Sequence, residues 1–145
     1  MQVQDRELLL EDICSRLPYG VVAEFRDSET NEKSLCKIIK VSCSLRGNPS
    51  IIGAEKIGSD VTHIVSPVHC VRPYLFPLST LTKNDEKELS YYSGINRIYN
   101  ILYPNNDTSL ADTLKGVRWL YAHHYDVNGL IPQGLANDAT GLNIY

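Results

Sequence analysis

The hydrophobic period of this chain changes twice, and that change constrains the fold more than any other feature. Residues 5–17 carry an apolar stripe at helical spacing, Leu9, Ile13 and Leu17, widened by Leu10 and Cys14. Asp5 is placed to cap this helix, and Glu7 near its start and Arg16 near its end complement the helix dipole. Pro18 has no amide hydrogen to give and stops it. From Tyr19 the period becomes two. Tyr19, Val21, Ala23 and Phe25 alternate with other residues as a strand with one face inward. Polar residues 26–33 read as a hairpin connection. On the next strand Leu35, Lys37, Ile39, Val41 and Cys43 share one face, and Cys36, Ile38 and Lys40 the other. Arg46-Gly47-Asn48-Pro49 is turn chemistry, and residues 50–56 and 61–65 read as two further short strands, broken near Gly58-Ser59-Asp60. This run of short strands over residues 19–65 predicts a small bent antiparallel sheet or an SH3-like barrel.

Residues 66–81 contain Pro67, Pro73 and Pro77, but also Val68, Val71, Tyr74, Leu75 and Phe76, which predict a connector that packs down. The helical period returns over residues 82–125. Thr82 and Asp85 form a capping-box pattern, and Leu89, Tyr92, Ile95, Tyr99 and Leu102 keep the rhythm of one helix, weakened by Gly94 in its interior. Residues 104–107 break the chain. A second helix follows from Thr108, with Leu110, Leu114, Val117, Tyr121 and His124 on one stripe. Residues 126–145 have no clear period and read as an irregular tail. The expected architecture is one α+β domain over residues 1–145: an N-terminal helix, a bent sheet, two C-terminal helices and the tail.

Fourteen Lys and Arg against seventeen Asp and Glu give a net charge of −3, with no basic run. The linear electrostatic footprint of a nucleic-acid binder is therefore absent. Folding can still gather Arg46, Lys56 and Arg72 onto one face. The first eleven residues lack the apolar segment of a secretory signal, and no apolar run matches a membrane span. A cytoplasmic protein with reduced Cys14, Cys36, Cys43 and Cys70 is the expectation, and no two of these have C-x-x-C spacing. P-loop, G-x-G-x-x-G, G-x-S-x-G and H-E-x-x-H patterns are all missing, and no metal or cofactor is indicated.

The densest cluster of polar and aromatic groups is His123-His124-Tyr125-Asp126. Imidazole beside carboxylate can transfer protons or bind a metal. Adjacent side chains on a helix, however, diverge by about 100°. His124 also lies on the apolar stripe, where a packed histidine is the plainer reading. His63, His69 and Cys70 have no nucleophile signature around them. Trp119 and His123, four residues apart, share a helix face with Lys115 and Arg118 nearby, as either a partner anchor or a core cover. Nine tyrosines against two phenylalanines favour half-buried boundaries, where a ring packs and a hydroxyl stays wet.

Three blocks carry a family resemblance. They are Leu8-Leu9-Leu10 through Pro18-Tyr19-Gly20-Val21, then Val71-Arg72-Pro73-Tyr74-Leu75-Phe76-Pro77-Leu78-Ser79 through Leu81-Thr82, and His123-His124-Tyr125-Asp126 through Gly134-Leu135-Ala136. Together they resemble a family of small proteins of unknown activity from gut bacteria of the Bacteroides group and their phages and mobile elements. Here the strand segment is long, and Asn137-Asp138-Ala139-Thr140 stands where similar proteins have a more acidic, Pro-containing end. The resemblance implies a bacterial or phage-derived cytoplasmic protein and gives no residue a catalytic role.

The leading expectation is a non-catalytic accessory protein, a protein–protein interaction module working through its helical half. Its candidate binding residues are Arg72, Tyr74, Trp119, His123, His124 and Asp126. The alternatives are nucleic-acid binding by the sheet through Arg46, Lys56 and Arg72, and an enzyme with His123 or His124 as general base. Arg72-Pro73-Tyr74 and residues 129–136 are expected to pack together and tie sheet to helices, with Arg72 pairing a carboxylate or a C-terminal carbonyl, Asp126 being the named candidate.

Overall fold

The computed structural model describes residues 1–42, 51–58, 63–94, 98–102 and 108–145. The readings for Cys43, Arg46, the 46–49 turn, Ile95 and the 104–107 break lie outside the described residues. So does the Ser59-Asp60 part of the strand break.

The first helix, α1, spans Val3–Arg16. It starts before Asp5, whose carboxylate instead reaches back to accept the Gln2 amide at 3.0 Å. A 3-10 turn at Leu17–Tyr19 follows, with Pro18 in its first turn, and Gly20 at φ 75° redirects the chain. Tyr19 is therefore not in the strand it was read into: β1 is Val22–Arg26. The polar connection folds as expected. Asp27 accepts the Glu29 and Thr30 amides at 2.8 Å, a carboxylate-stabilised turn.

Strands β2 (Lys33–Ser42), β3 (Ile51–Lys56) and β4 (Ile64–Pro67) continue the antiparallel meander. On β2, Cys36 and Ile38 are buried while Lys37 and Lys40 are exposed. The simple alternation read from the sequence fails because the β2–β3 register shifts between Ile38 and Lys40. That bulge changes the phase, so Val41, expected on the Lys37 face, pairs with buried Ile52.

Two strands were not expected. Residues 71–75 form β5 (Val71–Leu75), antiparallel to β1, and Asn137–Asp138 form the short β6, parallel to β5. Pro73 argued against a strand, yet it lies opposite Ala23 with its ring buried. The sheet is therefore six-stranded, mixed, and ordered β4-β3-β2-β1-β5-β6.

This order forces curvature. In a flat sheet β4 and β5 would lie four strand spacings apart, roughly 19 Å. Only the 3-10 turn Val68–Cys70 joins them, and four Cα steps reach about 15 Å at most. The sheet curls, but it does not close into the SH3-like barrel considered above. The edge of β5 away from β1 is taken by β6 and by a bridge from Phe76 to Tyr125, so β4 has no place to pair.

The C-terminal half has three described helices, not two. Helix α2 (Lys83–Ser93) opens on the Thr82–Asp85 capping box and ends at Gly94, whose φ of 74° makes it a helix terminator rather than an interior residue. Short α3 spans Ile98–Leu102, and α4 spans Leu110–Ala122 behind a Ser109 cap. One core cluster joins α1 (Leu9, Ile13) to the sheet (Ala23, Phe25, Ile38, Ile52) and to Leu130 and Leu135 of the tail. A second joins Leu89, Ile101, Trp119, Leu120 and Tyr125.

Gly116 sets how closely α3 approaches α4. A Cβ there would lie 2.5 Å from Ile101 Cδ1. Gly116→Ala is expected to lower stability in urea by about 1–2 kcal/mol, although Ala is the better helix former by about 1 kcal/mol. Ile101→Val, which removes Cδ1, should reverse part of that loss in the double variant.

Candidate functional site

Helices α2 and α4 pack side by side and leave a groove of about 390 Å³ at the end of α4. Its floor is the buried Trp119. Tyr91, 95% exposed, and Tyr92, 55% exposed, project from the last turns of α2, and Tyr19, 39% exposed, comes from the 3-10 turn after α1. Glu88, Arg118 and His123 supply its charged and titratable groups.

His123 lies over Trp119, with ring centroids 3.8 Å apart and planes inclined by 23°. Its Nδ1 is 2.8 Å from the Trp119 carbonyl oxygen. A carbonyl only accepts, so Nδ1 carries the hydrogen, and in the neutral ring Nε2 keeps a lone pair. Nε2 faces the groove, 4.0 Å from a Glu88 carboxylate oxygen.

The adjacent His124 leaves in another direction because its backbone is left-handed, φ 60°. That reversal ends α4. The His124 ring is buried and stacks on Tyr145 at 3.8 Å, inclined by 13°. The Tyr145 hydroxyl donates to the Tyr74 carbonyl at 2.6 Å and accepts the Val22 amide at 3.2 Å. Burial, with the charges of Arg16 and His123, lowers the His124 pKa to about 4. Burial also pushes the Tyr145 phenol up to about 12. Both rings thus make packing contacts, His123 on Trp119 and His124 on Tyr145. Among the described residues no group of three or more His, Cys, Asp or Glu is placed to hold a metal.

The tie expected between Arg72-Pro73-Tyr74 and residues 129–136 is displaced to neighbouring residues, where backbone makes it, and Tyr74 lies opposite Asn137 instead. Phe76 donates its amide to the His124 carbonyl at 2.9 Å and accepts the Asp126 amide at 2.8 Å. The Asp126 carboxylate is taken by the Leu130 and Ile131 amides at 2.8 and 2.9 Å, pinning the turn that follows. The expected Arg72–Asp126 pair is therefore not made: Arg72 is exposed on β5 and no described residue bonds its side chain. Of the six residues expected at a site, Trp119 and His123 share the groove, His124 and Tyr74 meet through Tyr145, and Arg72 and Asp126 stand elsewhere.

Sequence reading gave Arg16 only a role at the end of the α1 dipole and missed its burial. Arg16 is fully buried and forms a two-point pair with Asp12, Nε to Oδ2 at 2.6 Å and Nη2 to Oδ1 at 3.0 Å. Nη2 also donates to the Tyr125 carbonyl at 2.7 Å, and the guanidinium lies 4.8 Å from the Tyr121 ring centroid. Asn128 completes the cluster by donating to Asp12 and to the Tyr121 hydroxyl. The available signal was an Asp and an Arg four apart, each three residues past an apolar position of the stripe, Leu9 and Ile13.

Comparison with known proteins returns no matching family model, no similar curated protein and no similar solved structure. No described helix is long and apolar enough to cross a membrane.

Two predictions follow from this packing. Asp12→Ala leaves the guanidinium buried without its carboxylate and should cost about 3–5 kcal/mol in urea denaturation. Asp12→Ala combined with Arg16→Met should cost less than the sum of the single changes; strict additivity would show that the two do not act as a pair. His124 gives a pH dependence. Its folded pKa, about 4, lies below the ordinary 6.5, so acid favours protonation of the unfolded chain. Its contribution is complete above the unfolded pKa and declines as pH falls toward the folded one, by about 3 kcal/mol in total. The drop in stability between roughly pH 7 and 4 should be smaller in His124→Phe; identical pH profiles would remove His124 as the cause.

Proposed function

We propose that this chain is a non-catalytic protein-interaction module of bacterial or phage origin, with the α2/α4 groove as its docking face. One observation carries the reading. Three tyrosines stand exposed around a groove floored by the chain's only tryptophan. Tyr and Trp offer large contact area with few rotatable bonds, and such residues dominate the energetics of interfaces. Tyr91 has almost no packing of its own, so nothing in the fold requires a ring there. The groove also contains both signs of charge, Glu88 and Arg118, which favours a peptide or protein surface over a polyanion.

Nucleic-acid binding through Arg46, Lys56 and Arg72 has less support. Lys56 lies opposite Cys36, which lies opposite Ala23, and both of those face the core. Arg72 lies opposite Glu24, one step out of phase, so it projects from the other face. Arg46 is outside the described residues.

The test is selection of peptides from a displayed random library on the wild-type protein, with recovered binders measured against Tyr91→Ala and Tyr92→Ala. Groove binders should lose at least about tenfold in affinity in these variants, whose stability should be close to wild type. Failure to recover any binder, or binders indifferent to both tyrosines, would overturn the reading.

A further inference from the structure

The outer face of the sheet holds a charge pattern that the sequence conceals. In the strand register, Arg26 lies opposite Lys33, Glu24 opposite both Leu35 and Arg72, Lys37 opposite Glu55, and Lys40 opposite Gly53. Residues opposite one another project from the same side. Arg26, Lys33, Lys37, Lys40 and Arg72 therefore share one face, with Glu24 and Glu55 as the counter-charges among the described residues of that register, in a chain whose net charge is −3.

At one end of this face lies a cleft of about 310 Å³ between the β1–β2 turn and the 3-10 turn before β5. Arg26, Arg72, His69, Glu24 and Asp27 line it. Its carboxylates are already engaged. Glu24 is bridged to Lys33 at 3.1 Å and approached by Arg26 at 3.5 Å. Asp27 accepts two backbone amides of its own turn, which hold its pKa below the ordinary value. Arg72 has no acceptor among the described residues, and Arg26 keeps donors beyond its long contact. The cleft thus keeps guanidinium donors with no acceptor of their own, beside carboxylates that already have partners.

We infer that this cleft is an oxyanion site that takes the phosphate group of a small phosphorylated ligand. Guanidinium groups present paired N–H donors that match the oxygens of phosphate or carboxylate. A carboxylate has one charge and two oxygens. A phosphate monoester has close to two charges and three free oxygens, which fits donors arriving from β1, β5 and the 3-10 turn. The site is separate from the α2/α4 groove and does not depend on it.

The test is a titration of the isotope-labelled full chain with inorganic phosphate, followed by backbone amide shifts. Acetate and a single-stranded oligonucleotide serve as parallel probes at fixed ionic strength. Phosphate should shift amides of residues 24–31 and 69–72 saturably, and Arg72→Gln should weaken binding at least about tenfold. The α2 and α4 amides should stay in place, reporting an intact fold in the exposed-site variant. Shifts that rise linearly without saturation, acetate binding as tightly as phosphate, or an unchanged affinity in Arg72→Gln would each overturn the inference. An oligonucleotide that binds along β2 with no saturable phosphate response would overturn it too, and would make the face a polyanion surface.

Discussion

A guanidinium does not give up its charge inside a protein, and Arg16 has no exposed surface. Everything near it must therefore be arranged around that charge. Asp12, one turn earlier on α1, neutralises it through two contacts, and the Tyr125 carbonyl and Tyr121 ring take further sides. Each partner belongs to a different part of the chain: α1, the end of α4, and the segment that leaves it. Asn128 adds the tail by donating to Asp12. A buried pair of this kind contributes little net stability compared with apolar residues of the same size. Its effect is selective: a packing of α1 against the tail that lacked these partners would leave a charge unsolvated. This explains how two separate hydrophobic clusters keep one relative position, since the charge network lies where the chain passes from one to the other.

Tyr125 is where that constraint reaches the candidate site. Its carbonyl is fixed by Arg16, its ring packs 6.0 Å from Trp119, and its backbone bridges to Phe76. The left-handed turn at His124 lets the chain deliver all three contacts immediately after a helix. It also sends the two histidines apart, one over Trp119 and one beneath Tyr145. The floor of the α2/α4 groove is thus held from below by the same segment that holds the sheet edge. The groove walls are different. Tyr91 and Tyr92 stand on the last turns of α2, beyond the contacts that Leu89 and Ser93 make with the interior. A rigid floor with exposed aromatic walls can accept a ligand without reorganising the core.

The legible part of this fold was what local chemistry decides. The α1 stripe, the Pro18 stop, the polar hairpin connection over residues 26–33 and the Thr82–Asp85 cap all depend on residues close in sequence, and each appears in the structure. What was not legible depends on distant partners. Residues 71–75 look like a proline-broken connector until β1 is there to pair with them. Asn137 and Asp138 have no strand propensity and are paired only because β5 presents an edge. The bulge at Ile38 to Lys40 inverts a face pattern that simple alternation assigns otherwise. At the site, Trp119 and His123 were legible together because their spacing is helical. The pairing of Arg72 with Asp126 was not a sound extrapolation, because Asp126 sits four residues before an amide it can cap, and local amides outcompete a distant guanidinium.

The same distinction governs charge. Along the sequence Lys33, Lys37 and Lys40 are separated by neutral residues, and their acidic neighbours make the segment look balanced. A strand sorts residues by parity, so this spacing, with the bulge restoring the phase, puts all three lysines on the outer face while Cys36 and Ile38 go inward. The hairpin adds Arg26, and β5 adds Arg72 from more than thirty positions away along the chain. Net charge over a window could not have shown this, because the nearby acids Asp27, Glu29 and Glu32 lie in or beside the connecting turn and not on the strand face. A mildly acidic protein can therefore present one sheet face on which bases outnumber acids, because strand register and not sequence spacing decides which charges share a face.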